Sequence, residues 1–246
     1  MNPRLRTYTA QPMPTPLRAL ILAAGRGVRM RPLTDRTPKP LLAVRGKPLI
    51  EWHLLALAAA GVRDVVVNTA WLEEQFPAAL GDGSRFGLHI RYSMEGRDHG
   101  GALETAGGIA KALPHLAPRG DECFWVVSGD VYLPGFAFDA DFAQRFADGA
   151  MWAHLWLVPN AAHHPQGDFG IDAQGLAVAD APLRLTWASV GLFRAAMFRD
   201  VVVGTRLALR PLLDDAIARR RISAQAWGGE WTDVGSVERL RSLNAD

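Results

Sequence analysis

Leu20-Ile21-Leu22-Ala23-Ala24-Gly25-Arg26-Gly27-Val28-Arg29-Met30-Arg31-Pro32-Leu33-Thr34 is the stretch on which the fold turns, followed closely by Pro38-Lys39-Pro40. The apolar run Leu20–Leu22 reads as a buried parallel strand. Ala23, Ala24 and Gly25 then leave room for a ligand against the backbone. Gly25 and Gly27 permit a tight loop whose N–H groups face anionic oxygens. Arg29 contributes a forked cation and Lys39 a point charge. Such a loop suits a polyphosphate. It is not a Walker loop, which requires Gly-x-x-x-x-Gly-Lys-Ser/Thr. It is not the dinucleotide fingerprint either, because Met30 stands where that pattern needs a third glycine.

Working outward, strand and helix signals alternate. Val65-Val66-Val67-Asn68 and Leu88–Tyr92 read as strands, and 49–60 and 71–80 read as helices. Residues 95–101 read as a loop, followed by a helix from Leu103 that Thr105 caps. Phe124-Trp125-Val126-Val127-Ser128-Gly129-Asp130 is an apolar strand ending in an acid. Ligands of open α/β sheets gather at that carboxyl edge. Residues 151–159, 185–193 and 222–227 read as further strands, 211–220 and 237–243 as helices. The expectation is a single α/β domain over residues 18–246. It has a Rossmann-like, doubly wound, mostly parallel sheet flanked by helices. Residues 1–17, with four prolines, read as a flexible tail.

The string through Pro40 resembles the signature of sugar-1-phosphate nucleotidyltransferases, Gly-x-Gly-x-Arg-Met/Leu-x-Pro-Leu-Thr followed by Pro-Lys-Pro. Val28 departs from it, since relatives carry Thr, Ser or Glu there. Ser128-Gly129-Asp130 resembles the family's Asn/Ser-Gly-Asp, and Trp231-Thr232-Asp233-Val234-Gly235-Ser236 its Trp-x-Asp-Val-Gly-Ser/Thr. The resemblance implies the nucleotidyltransferase fold and a reaction joining a nucleoside triphosphate to a sugar 1-phosphate. It implies that Ala23, Ala24, Gly25, Gly27, Val28, Arg29 and Lys39 hold the nucleotide, with Thr105, Gly107 and Ser128 nearby. Arg29, Lys39, Asp130 and Asp233 are the implied catalytic set, and Asp130 and Asp233 the implied Mg²⁺ ligands. Asn160 and Asp168 are candidate sugar contacts. His163-His164-Pro165-Gln166-Gly167-Asp168-Phe169 resembles one subgroup, the N-acetylmuramate-1-phosphate uridylyltransferases. Other nucleotides with another sugar phosphate or phosphocholine remain open, as does a regulatory relative without catalysis. A dehydrogenase lacks the third glycine.

Composition narrows the setting. The chain has 246 residues, 49% of them hydrophobic, and a net charge of +2. Arg4 and Arg6 supply that excess, so the body is balanced and a broad nucleic-acid surface is not expected. Cys123, the lone cysteine, lies in an apolar run and reads as core. No run of about 18 apolar residues suggests a membrane span, and no signal-peptide segment opens the chain. A cytoplasmic monomer is the expectation.

Overall fold

The computed structural model describes residues 17–245. Residues 1–16 of the expected tail lie outside the described residues, and Leu17 packs against the core. Seven strands form the central sheet: β1 (Arg18–Leu22), β2 (Asp64–Thr69), β3 (His89–Met94), β4 (Cys123–Ser128), β6 (Ala153–Val158), β7 (Thr186–Arg194) and β8 (Ile222–Ala226). Two short strands, β5 (Val131–Tyr132) and β9 (Thr232–Asp233), pair antiparallel beside it. The order in the sheet is β8-β6-β7-β4-β1-β2-β3. Only β7 runs against its neighbours; the other adjacent pairs are parallel. This is the mostly parallel, doubly wound sheet expected.

The central strands are apolar throughout because both faces are covered. Ala19 and Ile21 point into one core with α1 (Leu49–Ala59), α2 (Gln75–Leu80) and α5 (Ala140–Asp148). Leu20 points into the other, with α4 (Glu104–Leu116) and α6 (Arg210–Ala218). Two helices remain, α3 (Glu95–His99) and α7 (Val237–Ala245). Cys123 is buried, and burial pushes its thiol up to about 11, as a core cysteine should be. Among the described residues no helix is long and apolar enough to cross a membrane.

From β1 the chain moves outward to β2 and β3, then returns across β1 to β4. The strand order therefore reverses between β1 and β4. There Leu22 and Ser128 sit opposite one another at the carboxyl edge, where ligands of open sheets bind.

Three local expectations are corrected. The helix anticipated over 71–80 begins only at Gln75, because the chain turns at Leu72 (φ 50°). Trp71 Nε1 there donates to the Thr34 carbonyl at 2.8 Å. Residues 95–99, anticipated as loop, form α3. The Glu73 carboxylate accepts the N–H groups of Gly96 and Arg97 at 3.1 and 2.7 Å, an N-terminal cap lent by a distant segment. Thr105 does not cap α4. The Leu207 carbonyl accepts the Ala106 and Gly107 N–H groups instead.

Candidate active site

The cleft starts from how β1 ends. Asn68, next to last in β2, accepts the Ala23 N–H on its side-chain oxygen at 2.8 Å and on its carbonyl at 3.1 Å. That fixes the chain as it leaves the sheet. Gly27 then takes φ 65°, and its carbonyl accepts the Thr34 hydroxyl at 2.9 Å. A Cβ on Gly27 would stand 2.9 Å from Thr34 Cγ2, so the turn needs glycine for both conformation and space. Beyond it, the 3₁₀ turn Lys39–Leu41 directs Lys39 inward, 9% exposed.

Lys39 Nζ donates to Asp130 Oδ2 at 2.6 Å, and the Ser128 hydroxyl donates to Asp130 Oδ1 at 2.6 Å. Burial pushes the Asp130 carboxyl up, but the Lys39 ammonium and the Ser128 hydroxyl more than reverse it. Its pKa lies below the ordinary carboxylate value. Ala23, Ala24, Gly25, Lys39, Thr105, Ser128 and Asp130 all line one cleft of about 360 Å³. Arg26 also lines it, stacked 4.1 Å over the Trp71 ring.

Asp233 reaches the same region from the far end of the chain. It pairs with Val131 between β9 and β5, and the Val234 N–H donates to the Asp130 carbonyl at 2.8 Å. Its side chain faces a neighbouring cleft of about 420 Å³ with His163 and Arg239. Arg239 donates to Asp233 Oδ1, and His163 Nε2 lies 3.0 Å from the same atom. Gly235 lets Arg29 join them. A Cβ there would lie 2.5 Å from Arg239 Nη2, 3.0 Å from Asp233 Oδ2 and 3.2 Å from Arg29 Nη2. Lys39 and Asp130 thus line the first cleft and Asp233 the second, while Arg29 is exposed and lines neither, its guanidinium lying beside Gly235.

Other candidates stand elsewhere. Val28 is 58% exposed and lines neither cleft. Gly107 is buried with its N–H on the Leu207 carbonyl, and a Cβ would lie 2.2 Å from the Thr205 carbonyl oxygen. Its missing side chain makes room for the backbone of Thr205 and Leu207. Asn160 is consumed locally. It donates to the carbonyls of Pro165 and Arg184 and accepts the Thr186 hydroxyl. Asp168 accepts the Trp187 N–H at 2.8 Å and sits 3.2 Å from His164 Nε2. Both pin the 160–168 loop to β7.

Sequence reading missed four contributors. Glu95 is fully buried and accepts from Asn68 Nδ2 and the Leu103 N–H, each at 2.7 Å. It joins the two walls of the cleft. Burial pushes its carboxyl up. Asn68 and Glu95 carried a signal: each is a polar residue at or just past the carboxyl end of an apolar strand. Glu104 and Arg206 line the cleft mouth, paired at 2.8 Å. Glu104 adopts φ 62°, a conformation costing a residue with a Cβ roughly 1–2 kcal/mol. An exposed ion pair returns at most about 1 kcal/mol.

The sequence pattern of the Nucleotidyl transferase family matches residues 18–178. The chain belongs to that family. It is an enzyme of nucleotidyl transfer. It is 47% identical over 236 residues to the N-acetylmuramate alpha-1-phosphate uridylyltransferase of Neisseria meningitidis serogroup B, covering 93% of this chain and 97% of that one. It is 29% identical to the glucose-1-phosphate thymidylyltransferase of Streptomyces griseus, covering 93% of this chain but 65% of that protein. Among solved structures, HddC from Yersinia pseudotuberculosis complexed with GMP-PN superimposes with a TM-score of 0.71 at 17% identity, covering 93% of this chain and 98% of that one. That likeness concerns the fold. The cleft of this chain lies at the carboxyl edge, where β1 and β4 end side by side.

Proposed function

We propose that residues 18–246 form one catalytic domain that joins UTP and N-acetylmuramate 1-phosphate to give UDP-N-acetylmuramate and pyrophosphate. The observation that carries the choice of substrates is the 47% identity to the Neisseria enzyme across nearly its whole length. The reaction needs two anions brought together, so positioning and charge neutralisation supply most of the rate. The sugar phosphate oxygen attacks the α-phosphorus in line, and pyrophosphate leaves.

Roles follow from charge and reach. Ala23, Ala24 and Gly25 offer a small-residue floor to the triphosphate, with Gly27 shaping the turn. Arg29 receives charge on the departing pyrophosphate. Lys39 neutralises the oxygens of the reacting phosphorus. Thr105 and Ser128 flank the nucleotide. Gly107, Asn160 and Asp168 act as scaffold, holding the segment 201–209 and the sugar-side loop.

Asp130 and Asp233 suit Mg²⁺. Both are hard oxygen donors, and strand pairing joins their backbones. No three His, Cys, Asp or Glu side chains among the described residues gather as a closed metal cage. Two carboxylates suit an ion that keeps waters and takes phosphate oxygens as its other ligands. Bound there, Mg²⁺ would neutralise phosphate charge. Lys39 pairs with Asp130, and Arg239 and His163 with Asp233. The balanced charge of the chain body supports a reaction on free small molecules, carried out by a cytoplasmic monomer.

The test is pyrophosphate release across a grid of UTP, dTTP, CTP and GTP against N-acetylmuramate, glucose and mannose 1-phosphates and phosphocholine. The expected result is a clear maximum at UTP with N-acetylmuramate 1-phosphate. A maximum at another pair would replace this reading, and nucleotide binding with no turnover would favour a regulatory relative.

A further inference from the structure

The cleft has a reaction end and a nucleoside end. Lys39 and Asp130 stand where β4 finishes. Next along the edge come Ala23 after β1, then Asn68 at the end of β2, which Glu95 ties to Leu103. From β4 to β2 is two strand spacings, about 10 Å. That matches the reach of a nucleoside from its α-phosphate to the far edge of its base. Glu104 and Arg206 line this second end.

Three features set the pair apart from an incidental surface contact. Glu104 is held in the left-handed region, which a residue with a side chain rarely adopts. An exposed ion pair is too weak to repay that. Arg206 is delivered from 102 residues away by a segment tied to α4 immediately after it. The Leu207 N–H donates to the Leu103 carbonyl at 2.9 Å, and the Leu207 carbonyl accepts two N–H groups of α4. Gly107 has no side chain, and that alone allows this segment to lie so close. The fold thus brings a carboxylate and a guanidinium side by side at the nucleoside end.

We propose that Glu104 and Arg206 select the nucleobase, the carboxylate accepting the N3–H of uracil while the guanidinium donates to the adjacent O4 carbonyl. This rests on the nucleotidyl-transfer reading of the cleft. Cytosine offers the opposite pattern, a lone pair at N3 beside an amino donor. Glu104 would then face a lone pair and Arg206 an N–H group, leaving both unpaired.

The experiment is calorimetric titration of the full chain with Mg·UTP, Mg·CTP and Mg·dUTP, for wild type, Glu104→Gln and Arg206→Ala. Glutamine keeps the size of Glu104 but can donate as well as accept. Wild type should bind UTP at least tenfold tighter than CTP, and each variant should narrow that ratio by roughly tenfold. The UTP to dUTP ratio should not move. Equal wild-type affinity for UTP and CTP overturns the proposal. So does an equal loss on both nucleotides, or an effect confined to dUTP, which would assign the pair to the ribose. Because the readout is binding, a failed sugar phosphate assignment would appear as missing turnover with this preference intact.

Discussion

Removing the Lys39 ammonium separates what holds the cleft together from what runs the reaction. Unit charges 2.6 Å apart attract by roughly 6 kcal/mol at an effective dielectric constant of about 20. Desolvation of both ions offsets most of that. The Asp130 side chain is 34% exposed, so orphaning it costs about 2 kcal/mol, less than the roughly 3–5 kcal/mol of a fully buried pair. Its pKa should then rise, because burial acts unopposed by the ammonium. Turnover should fall further than stability. One charged donor aimed at a developing oxyanion is worth about 3–4 kcal/mol, on the order of 10²–10³-fold in rate. Lys39→Ala should therefore remain folded while losing turnover on that scale. Adding Asp130→Asn removes the orphaned charge, so the double variant should regain most of the lost stability and none of the activity. Pyrophosphate release at saturating substrates, beside urea unfolding of all three variants, measures both. A Lys39→Ala rate within about tenfold of wild type would refute the electrostatic role, and a double variant no more stable than the single would refute the orphaned-charge argument.

Two other predictions address the scaffold. Gly107→Ala places a Cβ 2.2 Å from the Thr205 carbonyl oxygen; it should cost about 1–3 kcal/mol and raise the KM for the nucleotide more than it lowers kcat, and unchanged Tm and KM would disprove the close approach. His53 and His154 are held neutral by burial, which lowers each from 6.5 to about 4, although the Val131 carbonyl and the Asp130 charge partly oppose this at His53. The unfolded chain takes up these protons at a higher pH than the folded one, so stability should fall as the pH drops through that window, by at most about 3 kcal/mol per imidazole. His154→Gln should remove about half of the slope in urea midpoints; a wild-type midpoint that does not change with pH there would contradict it.

Much of the cleft was legible because its chemistry is written in short windows. The apolar run into Ala23-Ala24-Gly25 announced a strand opening onto a cleft. Asp130, at the end of another apolar run, announced the carboxyl edge. What failed were inferences about what a side chain or an N–H group is free to do. Thr105 looked like a helix cap, but a carbonyl from Leu207 had taken the N–H groups it would cap. Asn160 and Asp168, the candidate sugar contacts, also turn out to hold their own loop through Pro165, Arg184, Thr186, His164 and Trp187.

By itself, then, the amino-acid order determined the α/β class, the glycine turn at Gly25–Gly27 and the residue types that line the cleft. Hydrophobic periodicity and glycine's freedom of φ act over a few residues and can be read there. Only the tertiary structure decided which polar groups remain available to a ligand. Lys39 and Asp130 are 91 residues apart in the chain, and Glu104 and Arg206 are 102. A hydrogen-bonding group takes whichever partner the packing brings within about 3 Å, and packing is set by strand order, which no local window contains.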